Sequence, residues 1–220
     1  MNTQTAGSNK MGRSAVTRHE VVRKVLLFCG ILSSLLYIIA NDVIAATSYP
    51  GYSRISQPFS QLSATFAPSR TVLVPLIVLY ELLIIAFGIG VWQSAQGKRL
   101  LRVTGGLVIA GGILGLVALA FPMTQLDLRS DMMHNILMGT VTPLLMFITI
   151  GFGAAALGRW FRLYSILTIA LLFLGGVLSG MQIAQITAGE TVKWFGLTQR
   201  MLTGAWLLWV AVLAIVLLRA

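Results

Sequence analysis

Six apolar runs of membrane-spanning length occupy most of this 220-residue chain. The hydrocarbon core of a bilayer is about 30 Å thick, and a helix rising about 1.5 Å per residue needs about 20 apolar residues to cross it. The runs at 22–46, 71–95, 101–121, 131–157, 163–186 and 198–218 meet that length. Inside hydrocarbon a backbone has no water to bond, so continuous apolar runs of this size must satisfy their own N–H and C=O groups as helices. The sequence therefore predicts an all-α polytopic membrane protein, a single six-transmembrane-helix bundle over 21–220 behind a disordered basic tail at 1–20. Composition agrees, since 57% hydrophobic and 10% charged residues leave too little polar surface for a soluble domain of this size.

A net charge of +10 raises nucleic acid as a partner, but the cations lie in short clusters between apolar runs. That distribution is a topology signal, and nucleic acid binding is not expected. Lys98, Arg99 and Arg102 crowd one connection, and Arg159 and Arg162 crowd another, both on the side of the basic tail. The excess of cations places both termini in the cytoplasm and the protein in the cell (inner) membrane. The first run is too long for the core of a signal peptide and lacks a clear small-residue cleavage site after it, so a retained helix is expected. A single cysteine, Cys29, excludes an internal disulfide or a zinc thiolate cage.

The unusual polar residues collect on the opposite side. Asn41 and Asp42 close the first run, and "YSRISQPFSQLSATFAPSR" follows it, with Gln57, Ser60 and Gln61 at its centre. Asp127, Asp131 and His134 lead into the fourth run, Gln182 and Gln185 end the fifth, and Gln199 and Arg200 open the sixth. Within the polar loop, Ile55, Phe59 and Leu62 recur at helical spacing, with Ser56, Ser60 and Ser63 on another face. This predicts an amphipathic or re-entrant segment over 52–68 that roofs an outward-facing polar pocket. Gly111 with Gly115, and Gly176 with Gly180, have the four-residue spacing of helix-packing faces. Pro143 should break the hydrogen-bond ladder of the fourth helix.

Three pieces of the chain resemble a known family. "YSRISQPFSQLSA", "FPMTQLDLRSDMMHN" and "GLTQRMLTGAWLLWVAVLA" are similar to stretches of the bacterial integral membrane family catalogued as domain of unknown function 998. The resemblance implies a six-span architecture and supplies no reaction. On this match Ser60, Gln61, His134 and Arg200 fall on the family's marked positions. Gln61 and Gln199 stand where carboxylates are expected, which leaves hydrogen bonding there and removes a negative charge.

The candidate chemistry follows from these positions. His134 is the only histidine outside the tail, and Asp131 lies three residues before it, as an orienting carboxylate or, with Ser130, as a cap of the fourth helix. Arg200 keeps its charge and needs an anion, either an internal one from Asp42, Asp127 and Asp131 or a ligand's head group. Gln57, Ser60, Gln61 and Gln185 would add neutral hydrogen bonds. Glu81, in the middle of the second run, is a candidate proton site, because an unpaired charge there costs several kcal/mol. The expected function is non-enzymatic: binding or moving a small amphipathic or lipid-like ligand in the polar cavity, with the lipid bilayer as surroundings. A lipid hydrolase or transferase using Ser60 and His134, and a membrane assembly scaffold, are the alternatives. No metal and no cofactor are expected, because the chain lacks zinc-protease, serine-hydrolase and phosphate-loop motifs.

Overall fold

The computed structural model describes residues 4–124 and 126–220, with side chains for 18–124, 126–186 and 188–220. The start of the basic tail, 1–3, and Gln125 lie outside the described residues. Seven α-helices build the chain: α1 (Gln4–Ile38), α2 (Arg70–Gln93), α3 (Arg99–Ala118), α4 (Leu128–Ile136), α5 (Thr142–Ala156), α6 (Arg159–Thr187) and α7 (Phe195–Leu218). A π-helical stretch, Ile39–Ala45, extends α1, and a second, Leu137–Val141, joins α4 to α5. Six segments are long and apolar enough to cross a membrane: Arg18–Ala45, Arg70–Gln93, Arg99–Ala118, Leu128–Ala156, Arg159–Ile186 and Phe195–Leu218. Each lies close to one of the six apolar runs, and no strand occurs among the described residues. The protein is an all-α, multi-pass membrane protein.

The spans close into a ring. Packing runs from α1 to α2, α3, α5, α6 and α7, and back to α1. Glycines set the tightest seams. A Cβ on Gly105 would stand 2.6 Å from the backbone nitrogen of Trp92, so only glycine lets α3 lie against the α2 backbone. The expected pair Gly176 and Gly180 has no neighbour within reach of a Cβ, and the glycine of α6 that packs is Gly175, against Leu202. Spacing alone suggested the first pair. The α6 turn actually facing α7 lies one residue earlier, and the other glycines face outward.

One half of the ring is solid. Trp209 is fully buried, stacks on Trp206 with centroids 5.6 Å apart, and lies beside Phe161 at 5.8 Å. Its indole Nε1 donates to Ser165 Oγ at 3.0 Å, which satisfies that buried donor. These residues come from the start of α6 and the later half of α7, so the filled half lies toward the Lys98–Arg102 and Arg159–Arg162 connections. The other face, which carries connections 46–69, 119–127 and 188–194, is built differently.

Candidate functional site

The polar loop does not form the helix that its spacing suggested. Only Phe59–Ser63 is helical, as a single 3-10 segment, while Ile55 is exposed and Leu62 is fully buried. The proline at position 58 explains the difference. A residue before proline is driven out of the α region, so a helix cannot run from Ile55 through Gln57, and Pro58 itself is extended. Leu62 instead plugs a small core with Ala40, Ala45, Ala46 and Leu73. Ser69 Oγ donates to Leu62 O at 2.7 Å, Arg70 donates to Ser63 O, and Thr65 N donates to Met123 O at 2.9 Å. The loop is thereby tied to the ends of three spans.

Arg200 is the main fastener. Its Nε pairs with Asp42 Oδ1 at 2.8 Å, and the two side chains are 13% and 26% exposed. The remaining guanidinium nitrogens donate to Arg54 O at 2.7 Å, to Gln57 O and Gly196 O at 3.2 Å each, and to Tyr52 Oη at 3.0 Å. Phe59 lies 4.3 Å below its carbon, in cation–π contact. One side chain therefore joins the end of span one, the loop and the start of span six. The π-helix at Ile39–Ala45 prepares this contact. Its wider turn reorients Asp42, and Asn41 Nδ2 donates to Tyr37 O at 2.9 Å across the widened turn. Burial pushes the Tyr52 phenol above its ordinary value, against the pull of Arg200, so it stays protonated and donates to Gln57 O and Pro58 O at 3.0 Å.

Span four is broken near its middle. Pro143 has no N–H for the preceding turn, and the ladder widens to a π-turn over Leu137–Val141 just before it. Beyond this turn α4 packs extensively against nothing but its own continuation, and Leu128, Met132 and Ile136 are exposed along it. It is held by the 121–127 connection. Ser130 Oγ donates to Pro122 O at 2.8 Å, Thr124 N donates to Asp131 Oδ1 at 2.6 Å, and His134 Nδ1 lies 3.0 Å from Phe121 O. Because that carbonyl can only accept, Nδ1 carries the proton and Nε2 is left as an acceptor. Phe121 O thus orients the imidazole. Asp127 caps α4, accepting from Arg129 N at 3.0 Å, in place of the expected cap from Ser130 and Asp131.

Several buried polar atoms have no hydrogen-bond partner among the described residues. Four of them, Gln61 Oε1, Thr142 Oγ1, Ser179 Oγ and Gln182 Oε1, belong to the half of the ring under the loop, and two, Gln93 Oε1 and Tyr164 Oη, to the opposite half. Gln182 is only 6% exposed. It shares a helix face with Ser179, Gly175 and buried Leu172, the face α6 turns toward α7. Thr142 lies two turns before buried Thr149, on the face α5 presents to the bundle. Glu81 is in the middle of α2, with its carboxyl against Gly115, where a Cβ could not fit. On α3, Gly115 sits between Gly112, which meets α2, and Gly111, which meets Leu145 of α5, so the carboxyl lies on the inner side of the seam. Tyr37 is close enough to feel its charge.

With the fold and these positions established, comparison with known proteins is informative at one level. The family model described as "Protein of unknown function (DUF998)" matches residues 31–216. The chain belongs to the DUF998 family. No curated protein and no solved structure matches it. The DUF998 match starts inside α1 and ends within α7, so it covers the whole ring and the loop that roofs it.

The positions singled out in this DUF998 chain separate into two groups. Asp42, Gln57 and Arg200 belong to the fastened loop, where Gln57 Oε1 accepts from Ser53 N at 2.6 Å. Asp127 and Asp131 organise the approach to α4, and Gln185 is exposed at the end of α6. Ser60 is in the 3-10 turn, and no hydrogen bond joins it to His134. Gln61 instead goes with the atoms left free under the loop, while His134 is bonded to Phe121 O and Glu81 lies against Gly115 of α3. Thr142 and Ser179 were not legible as members of this group, since an isolated hydroxyl in an apolar run is ordinarily bonded to its own helix. An apolar groove of about 180 Å³ also runs between α6 and α7, lined by Leu171, Leu174, Leu178 and Met201. Thr198 is its one polar residue, and its Oγ1 already donates to Trp194 O.

Proposed function

We propose that this membrane protein holds a small amphipathic or lipid-like molecule in the half of the ring beneath the loop, and that its role is binding or transfer without covalent chemistry. One observation carries the reading. Four buried polar atoms without partners lie in that half, against two, Gln93 Oε1 and Tyr164 Oη, in the opposite half, whose interior is filled by Trp206, Trp209 and Phe161. An unpaired polar atom in a membrane interior costs several kcal/mol, so the site calls for water or a ligand's polar group. The separation of α4 from its neighbours supports entry from the bilayer, with the hydrocarbon part leaving between spans four and five. Gln61, His134, Gln182, Ser179 and Thr142 are the polar contacts of this reading, and Arg200, Asp42 and Gln57 hold the roof. A hydrolase using Ser60 and His134 gains no support, because the two side chains are not bonded.

The same reading places the loop outside the cell membrane and both termini in the cytoplasm, following the cations at Lys98–Arg102 and Arg159–Arg162. Thiol labelling of intact cells tests this. With Cys29 replaced by serine, a membrane-impermeant maleimide should label Phe66→Cys and spare Gln96→Cys. Native mass spectrometry of the protein released from its own membrane tests the binding. Wild type should carry a bound mass that Gln182→Leu loses while keeping its melting temperature. An empty wild type, or a mass retained by Gln182→Leu, would overturn the proposal.

A further inference from the structure

The polar groups beneath the loop include a carboxyl and, among the described residues, no free cation, and this specifies the ligand that the proposed binding site would take. Gln61, Gln182, Thr142 and Ser179 are neutral groups that both donate and accept, His134 Nε2 is an acceptor, and Glu81 adds a carboxyl. Cations that could answer them are engaged elsewhere. Arg200 is bonded to Asp42, three carbonyls and Tyr52, Arg54 donates to Asp42 O at 2.6 Å, and Arg70 donates to Ser63 O. Arg129, in the first turn of α4, and Lys193, on the connection before α7, are exposed. An anionic head group would therefore meet a carboxyl and no cation to receive it.

An ammonium group fits this lining. It donates up to three hydrogen bonds and accepts none. Glu81 has no hydrogen-bond partner among the described residues, and at mid-membrane an ionised carboxylate needs a paired charge. The rings of Tyr37 and Tyr80 meet edge to face at 4.8 Å beside it, and aromatic faces attract cations. We infer that the molecule held beneath the loop is a cationic amphiphile, whose ammonium is received by Glu81. The inference rests on the binding reading above and assigns its substrate class.

The test compares three probes of equal chain length, dodecylammonium, 1-dodecanol and dodecanoate, titrated by calorimetry into the full-length protein in lipid nanodiscs. Empty nanodiscs supply the background. Dodecylammonium should bind at least tenfold tighter than the other two, and Glu81→Gln should remove that preference. Equal or tighter binding of dodecanoate, or an ammonium preference surviving in Glu81→Gln, would overturn the inference. Should Glu81→Gln not fold, Glu81→Asp keeps the charge and must retain the preference, and the three-probe ranking on wild type decides by itself. Saturable binding of dodecanol and dodecanoate without ammonium preference defeats this inference alone. No saturable binding by any of the three defeats the binding reading with it.

Discussion

Replacing Arg200 with glutamine should cost the protein its roof. The guanidinium is 13% exposed, pairs with a carboxylate at 2.8 Å and supplies four further hydrogen bonds to three carbonyls and a phenol. Removing one partner of a buried ion pair costs about 3–5 kcal/mol, because the other charge is left without compensation. Asp42 is 26% exposed, so water can recover part of that loss and the lower end, about 3 kcal/mol, applies. For a chain of this size each kcal/mol corresponds to about 2–4 °C, which predicts a fall of roughly 6–12 °C in melting temperature. Differential scanning fluorimetry in detergent measures it directly. Arg200→Gln combined with Asp42→Asn should be less damaging than the two single changes added together, by about 1–3 kcal/mol, since the stranded carboxylate is gone. Limited proteolysis should cut between residues 52 and 68 in the single variant and spare wild type. A melting temperature within about 2 °C of wild type, together with an uncut loop, would refute the view that Arg200 is a fastener and return it to the role of a ligand anchor.

Other perturbations separate the remaining parts of the structure. Gly105→Ala should lower the melting temperature by several degrees because its Cβ would press on the Trp92 backbone, whereas Gly180→Ala should leave it unchanged or raise it slightly. Trp209→Ala should destabilise by about 3–5 kcal/mol in chemical unfolding, as expected for emptying a packed aromatic site. The Tyr52 phenol, held above its ordinary value of 10.0, favours folding fully below that pH and loses its contribution as pH rises toward the folded value. Melting temperature should therefore fall more steeply above pH 10 in wild type than in Tyr52→Phe.

The spans were legible because bilayer thickness fixes their length without reference to any neighbour. Pro143 was legible for a similar reason, since its missing N–H acts on its own helix. What depended on neighbours was not. The spacing of Gly176 and Gly180 resembles that of packing glycines, and nothing in the sequence says that the adjacent helix stands on the other side. Ile55, Phe59 and Leu62 were aligned by counting, while Pro58 between them forbids the helix on which the count relied. Arg200 was recognised as needing an anion, and Asp42 was among its candidates. Its backbone partners could not be read, because every residue offers a carbonyl and only the fold decides which ones converge.

The two halves of the ring face different physical demands, and this difference is the strongest argument about access. Trp209, Trp206 and Phe161 fill one half, where Trp209 Nε1 donates to Ser165 and two buried polar atoms, Gln93 Oε1 and Tyr164 Oη, have no partner among the described residues. Residues of the other half keep polar atoms that the bundle does not satisfy, beneath a loop held by Arg200, Arg70 and the Thr65–Met123 bond. A molecule entering through that loop would have to break these bonds, several of them charge-assisted. Entry beside α4 requires no such loss. Among the described residues, the bonds named for the half-helix run to the adjacent connection, and it continues through a π-turn containing Gly139, where no neighbouring atom comes within reach of a Cβ. On the proposed reading, the loop therefore acts as a fixed cover and α4 as the side that yields. Tethering α4 more firmly to the bundle should slow ligand exchange without weakening the roof, whereas loosening Arg200 should weaken the roof first.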